Sequence, residues 1–293
     1  LILVPNVLEA LQQLARFHRL QYHIPVIGLT GTNGKTTTKE LITSVLRKRY
    51  NVVATEGNFN NHIGVPLSLL KINSQTQAAV IEMGASAPGE IKALVNIVCP
   101  VFGLITNVGK AHLLGFGSFE GVKKTKGELY DNLLEHRKIA FVNIDNPVLA
   151  EMISKRPDLH IVPYGPKNDR AKIIVDQKDN PFLKITIPNP FYGNTTVEES
   201  AGNNSTSING NKESVGNNST SINGNKESVG NSNNSDNSGS ADSLNTIGIN
   251  FSAKKIEIQT KLIGTYNADN VLAALCIGTY FNIPIDKSVE AIC

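Results

Sequence analysis

Apolar residues along the chain follow two alternating patterns. Short unbroken runs at Val26-Ile27-Gly28-Leu29, Ala78 to Met83, Val101 to Asn107 and Lys138 to Asp145 have the length and continuity of strands buried on both faces. Between them, apolar positions recur every three or four residues. Examples are Leu41, Ile42, Val45 and Leu46, the segments Glu90 to Asn96 and Phe119 to Leu134, and Ala268 to Tyr280 with Val271, Leu272, Leu275 and Cys276 on one face. Near the start, Val7 to Arg19 predicts a helix with Leu8, Leu11, Leu14, Ala15 and His18 on one stripe. Strands alternating with helices predict an α/β fold, a mostly parallel sheet covered by helices on both faces.

One tract breaks this rhythm. Of the 40 residues from Ala201 to Ser240, 12 are Asn, 10 Ser and 6 Gly, so it has little to bury against the entropy of ordering. It holds a perfect tandem copy, Asn203–Gly216 repeated as Asn217–Gly230. A disordered low-complexity insertion at about 194–248 is expected, carried as a surface loop. The rest of the composition is ordinary, with 40% hydrophobic and 18% charged residues and a net charge of +3. That charge is too mild to predict a nucleic-acid partner. No run approaches the length of a membrane span, and Cys99, Cys276 and Cys293 lack metal or disulfide spacing. A cytoplasmic monomer without nucleic-acid or membrane partners is the expectation.

Chemistry concentrates at Thr30-Gly31-Thr32-Asn33-Gly34-Lys35-Thr36-Thr37, between a strand and an amphipathic helix. Glycines let backbone amides curl around phosphate oxygens and the helix N-terminus favours negative charge. Lys35 can neutralise β/γ charge, and the Thr36 hydroxyl can ligate Mg2+. The spacing departs from the usual phosphate loop, because Leu29 stands five residues before Gly34 and the first loop glycine is instead Gly31. Four strands end in polar groups, Thr30, Glu82, Thr106-Asn107 and Asp145, and are expected to converge on this loop. Glu82 supplies the hard oxygen that Mg2+ prefers. His112 follows the third run closely enough to reach the same cleft. By pattern alone, Lys126 in Lys123-Lys124-Thr125-Lys126 belongs to a solvated basic helix face.

The loop occurs with Glu56-Gly57-Asn58-Phe59-Asn60-Asn61-His62-Ile63-Gly64-Val65-Pro66, Ile81-Glu82-Met83-Gly84-Ala85, Thr106 to His112, Gly115-Phe116-Gly117-Ser118 and Lys126-Gly127-Glu128. In that order, with Leu262 to Ala274 further on, these blocks closely resemble the Mur ligase family. The likeness is strongest to members that join D-Ala-D-Ala to UDP-MurNAc-tripeptide. The resemblance implies a P-loop NTPase-like domain and ATP-driven amide synthesis through an acyl phosphate. It implies that Gly31, Thr32, Asn33, Gly34, Lys35, Thr36 and Thr37 bind ATP, with Asn267 and Asn270 near the base. Thr36 and Glu82 would hold one Mg2+ and His112 a second, and Lys126 would be carbamylated beside it. Lys35, Lys126 and His112 would be the catalytic set, and Asn60, Asn61 and His62 would face the substrate. Tyr266 stands where relatives often have histidine, and His62 where an acid or amide is common. The resemblance further implies that residues 1–24 are the terminal helix of an N-terminal UDP-substrate domain, that 25–293 form the central ATP-binding domain, and that a C-terminal ligase domain is absent. Other readings are another Mur or folylpolyglutamate-type ligase, a kinase, and a nucleotide-binding remnant without turnover.

Overall fold

The structure, a computed structural model, describes residues 3–110, 113–166, 172–174, 182–187 and 255–293. The insertion and His112 lie outside the described residues. The described residues fall in one compact unit. Its elements run α1 (Val7–Leu20), β1 (Val26–Thr30), α2 (Lys35–Leu46), β2 (Val52–Ala54), α3 (Gly64–Leu69), β3 (Ala78–Glu82), α4 (Glu90–Val98) and β4 (Phe102–Ile105). They continue through α5 (Leu113–Phe116), α6 (Phe119–Glu135), β5 (Ile139–Asn143), α7 (Pro147–Ser154) and β6 (His160–Tyr164). Beyond these come β7 (Lys172–Ile174), β8 (Phe182–Ile187), β9 (Ile256–Ile263), α8 (Asn267–Tyr280) and α9 (Ile285–Ile292).

Six strands pair in parallel in the order β2-β3-β1-β4-β5-β6. All five residues of β1 and of β3 are buried, as continuous apolar runs require in a sheet covered on both sides. Successive side chains point to opposite faces. Ile27, Leu29, Val80 and Leu104 therefore pack with α2, α8 and α9, while Val26, Ala79, Ile81 and Ile105 pack with α3, α4 and α6. The chain thus has the α/β architecture expected from its sequence.

Three features differ from the sequence reading. The antiparallel sheet β7-β8-β9 was not foreseen, and its Leu183, Ile185, Ile187 and Ile258 join the core on the α2 and α8 side. Helix α8 is buried all round from Val271 to Gly278 rather than on one face, because it is enclosed by α2, α9 and strands of both sheets. In α1 the contact strip against α3 and α4 centres on Ala15 and Arg19, which leaves Leu14 on the outer side and 55% exposed. Arg19 fixes that contact: its guanidinium donates to the carbonyls of Val98, Cys99 and Tyr22 and so satisfies the C-terminal end of α4.

Candidate functional site

Strand β1 lies between β3 and β4, so the residues at their carboxyl ends surround the loop that leaves it. The loop is fixed by the segment after β4. The Thr32 and Asn33 amides donate to the Asn107 carbonyl and Oδ1 at 2.9 and 3.0 Å. The Thr106 hydroxyl and Asn107 Nδ2 donate to the Asn33 carbonyl at 2.7 and 3.0 Å, and the Gly109 amide reaches Thr32 Oγ1 at 2.9 Å. Both loop glycines are required by this packing. A Cβ on Gly31 would collide with Thr106 Oγ1, and Gly34 has φ of 75° with Asn270 Oδ1 only 2.8 Å from where a Cβ would stand. Gly34 caps α2, which has no side-chain N-cap among the described residues. The first-turn amides therefore remain available to an anion, together with the positive end of the helix dipole.

Glu82, 1% exposed at the end of β3, faces this helix start. Its carboxylate accepts from the Thr36 hydroxyl at 3.1 and 3.4 Å and from Asn60 Nδ2 at 2.8 Å, and its own amide donates to Thr55 Oγ1 at 2.9 Å. A hydroxyl and a carboxylate side by side are the hard oxygen donors that Mg2+ takes. Among the described residues no group of three His, Cys, Asp or Glu could hold a metal. The donor set therefore fits an ion completed by water and phosphate oxygens, as Mg2+ usually is.

Lys35 lies beside the loop, with Nζ 3.3 Å from the Thr32 carbonyl. Burial lowers its pKa and the Glu82 carboxylate partly restores it. Lys126, read from pattern as solvated, is 3% exposed: it projects from the buried face of α6 toward the loop. Its Nζ sits 5.9 Å from the Phe116 ring centre, and Lys35, Lys126, Gly31 and Thr32 line one small cavity. Burial first and then the nearby Lys35 bring the Lys126 pKa down from 10.5 to about 8, against the opposing pull of Glu90 and Glu128. Glu128 itself accepts from the Gly89 and Lys92 amides at 3.0 and 2.7 Å and so closes the N-terminus of α4.

A cleft of about 420 Å³ opens from Lys35, lined by Asn60, Asn61, His62, Ser86 and Glu90 among others. All three substrate-side candidates thus share a cleft with the loop lysine. Asn61 also has a local task, since its Oδ1 accepts from the Ile63 and Gly64 amides at the start of α3. The His62 carbonyl accepts from Gln12 of α1. Asn267 and Asn270 are buried and interlocked: Asn270 Oδ1 accepts from the Thr38 hydroxyl, Asn270 Nδ2 donates to Asn267 Oδ1, and Asn267 Nδ2 donates to the Ile263 carbonyl. They hold α8 against the loop helix. Thr37 lies half-buried in the first turn of α2, and Tyr266 is 74% exposed ahead of α8. Asp145 does not join the loop. It follows β5, two strands from β1, and packs over Gly165 beside Asn143. The sequence reading missed Lys39, which is completely buried with its Nζ 2.7 Å from the Thr55 carbonyl.

A parallel α/β sheet, a glycine loop opening onto a helix N-terminus, and an oxygen pair beside a lysine define the phosphate-loop, nucleotide-binding class. The chain belongs to the Mur ligase family, whose middle-domain model matches residues 29–198. The UDP-N-acetylmuramoyl-tripeptide--D-alanyl-D-alanine ligase of Bacillus subtilis is 45% identical over 153 residues, 52% of this chain and 33% of that protein. The Escherichia coli enzyme of the same name is 42% identical over 145 residues, 50% of this chain and 32% of its own. The solved structure of MurF from Acinetobacter baumannii superposes with a TM-score of 0.69 at 24% identity, covering 99% of this chain and 50% of that one. MurF from Thermotoga maritima, solved in complex with ADP, gives 0.56 at 31% identity over 63% of this chain and 43% of that chain. The chain spans about a third to a half of the length of these relatives.

Proposed function

We propose that the chain is the ATP-using core of a ligase that adds D-Ala-D-Ala to UDP-MurNAc-tripeptide in peptidoglycan precursor synthesis. In this reading residues 25–293 are the central domain and residues 1–24 the helix that enters it from an N-terminal substrate domain. The protein acts as a cytoplasmic monomer. The observation that carries the proposal is the clustering of Lys35, the Thr36–Glu82 pair and Lys126 around one helix N-terminus, in a chain 45% identical over 153 of its residues to a ligase of that name.

The acceptor carboxylate attacks the γ-phosphorus of ATP, ADP leaves, and the resulting acyl phosphate is opened by the amine of D-Ala-D-Ala with release of phosphate. Bound Mg2+ would supply charge neutralisation at the phosphates. The chain's own groups grip and align: the α2 amides and Lys35 hold the phosphates, and Thr36 and Glu82 hold the ion. Asn60, Asn61 and His62 face the acceptor side. His112 would serve a second ion, assisted by Lys126 as a carbamate. A pKa near 8 supports this last assignment, because only the neutral amine adds CO2, losing a proton to become an anion. That anion would face Lys35, turning a repulsive pair of cations into an attractive one.

Isotope transfer tests the chemistry in the protein that contains this chain. With 18O in the acceptor carboxylate, the released phosphate should carry one labelled oxygen. Unlabelled phosphate would exclude the acyl phosphate, and transfer to a hydroxyl acceptor would favour a kinase.

A further inference from the structure

Lys39 has no task in the reaction described above, yet it is placed at considerable cost. It lies one turn beyond Lys35 in α2 and is 0% exposed, where an apolar side chain of similar length would spare the desolvation of an ammonium. Its Nζ makes two contacts, donating to the Thr55 carbonyl at 2.7 Å and pairing with Glu40 Oε1 at 2.7 Å. Thr55 is in turn clamped on its other sides. Its amide donates to the Val80 carbonyl at 3.0 Å and its hydroxyl accepts the Glu82 amide at 2.9 Å. Five residues on, the loop that begins at Thr55 delivers Asn60, whose side-chain Nδ2 donates to the Glu82 carboxylate at 2.8 Å and whose backbone carbonyl accepts the Gly84 amide at 2.7 Å. Both ends of this loop therefore grip Glu82, one by its backbone and one by its side chain. Lys39 holds the end at Thr55.

We propose that Lys39 is a positioning residue for the metal site: its buried ammonium fixes Thr55 and, through it, the Glu82 carboxylate that faces Thr36. The proposal rests on the reading of Thr36 and Glu82 as the Mg2+ ligands. Lys39 touches neither nucleotide nor ion. It acts by setting where a ligand oxygen stands before the ion arrives, and loss of such an outer partner typically weakens metal binding on the order of tenfold or more.

The test measures ADP binding to the full chain by calorimetry, in EDTA and at saturating Mg2+, and takes the ratio of the two affinities as the metal coupling. Lys39→Met should lower that ratio on the order of tenfold while leaving the EDTA affinity at the wild-type value. Thr55→Val, which removes only the hydroxyl that holds Glu82, should lower it in the same direction, and the double variant should add little to either single one. Melting temperature is recorded in parallel. A Lys39→Met protein that melts lower but keeps the wild-type coupling would show a merely structural lysine and overturn the proposal. If Lys39→Met fails to fold, unchanged coupling in Thr55→Val overturns it instead. Glu82→Gln separates the two layers: it should abolish the coupling, and if it does not, the metal reading beneath the proposal falls first.

Discussion

Lys126 offers the sharpest quantitative prediction, because its burial beside another cation leaves a signature in stability that does not depend on substrates. Its pKa falls from 10.5 to about 8 on folding. At 1.36 kcal/mol per pKa unit, this corresponds to a charging penalty of about 3 kcal/mol. Below pH 8 the side chain is protonated in both folded and unfolded chains, so the penalty is present in full. Between pH 8 and 10.5 the folded protein sheds the proton while the unfolded chain keeps it, and this group's contribution to stability rises with pH. Above 10.5 the penalty is gone. Lys126→Met fills similar space without the charge, so in CO2-free buffer it should be more stable than wild type by up to about 3 kcal/mol at pH 7. The advantage should shrink toward zero by pH 10.5. Urea unfolding of both proteins across this range measures the difference directly. A difference that stays constant with pH, or a variant less stable at pH 7, would refute the account of Lys126 as a buried, destabilised ammonium. Added bicarbonate supplies a second arm, since carbamylation replaces the penalised cation with an anion and should stabilise only the wild type.

Other sites give simpler expectations. Gly34→Ala forces a side chain onto a left-handed residue and against Asn270. It should cost about 1–3 kcal/mol of stability and weaken ADP binding, and wild-type affinity in a calorimetric titration would contradict the loop geometry. Asn270→Leu leaves the Thr38 hydroxyl without its acceptor and Asn267 Oδ1 without its donor. A loss of about 1–3 kcal/mol per stranded group is expected, read by denaturant unfolding, and a neutral result would show that the α2–α8 clamp is not needed. Arg19→Met removes the two bonds that hold α1 on the end of α4, to the Val98 and Cys99 carbonyls, and a third to the Tyr22 carbonyl just after α1. Hydrogen exchange should then speed up in α1 and leave β1 protected, whereas unchanged exchange in α1 would show that Arg19 does not fasten it.

Much of this architecture was legible from the chain because the parallel strands are unbroken apolar runs and their helices carry clear stripes. The observed limits of β3, α4 and α6 fall within a residue or two of the patterned segments. The phosphate loop was legible because strand, glycines and lysine occur in one contiguous block. Lys126 was misread by pattern because Lys123 and Lys124 beside it suggest a wet face. The helical stripe Val122, Lys126, Leu129 and Leu133, all buried, carries the opposite message. Lys39 is hidden in the same way, on a stripe with Ile42 and Leu46. Strand order is a property of non-local pairing, so nothing near Asp145 reveals that β5 stands two places from β1. The alternation in Phe182 to Ile187 was a readable strand signal, but its partner β9 lies across the low-complexity tract. The resemblance to the Mur ligases, rather than residue patterning, supplied the roles expected of Lys126 and His112.

Phosphate release from Mg2+-ATP by the protein that contains this chain tests the central claim most directly, with UDP-MurNAc-tripeptide and D-Ala-D-Ala supplied singly and together beside a Lys35→Ala control. Release that requires both substrates and disappears in the control is the predicted result. Tight ATP binding without release when both are present would contradict the assignment as an amide ligase.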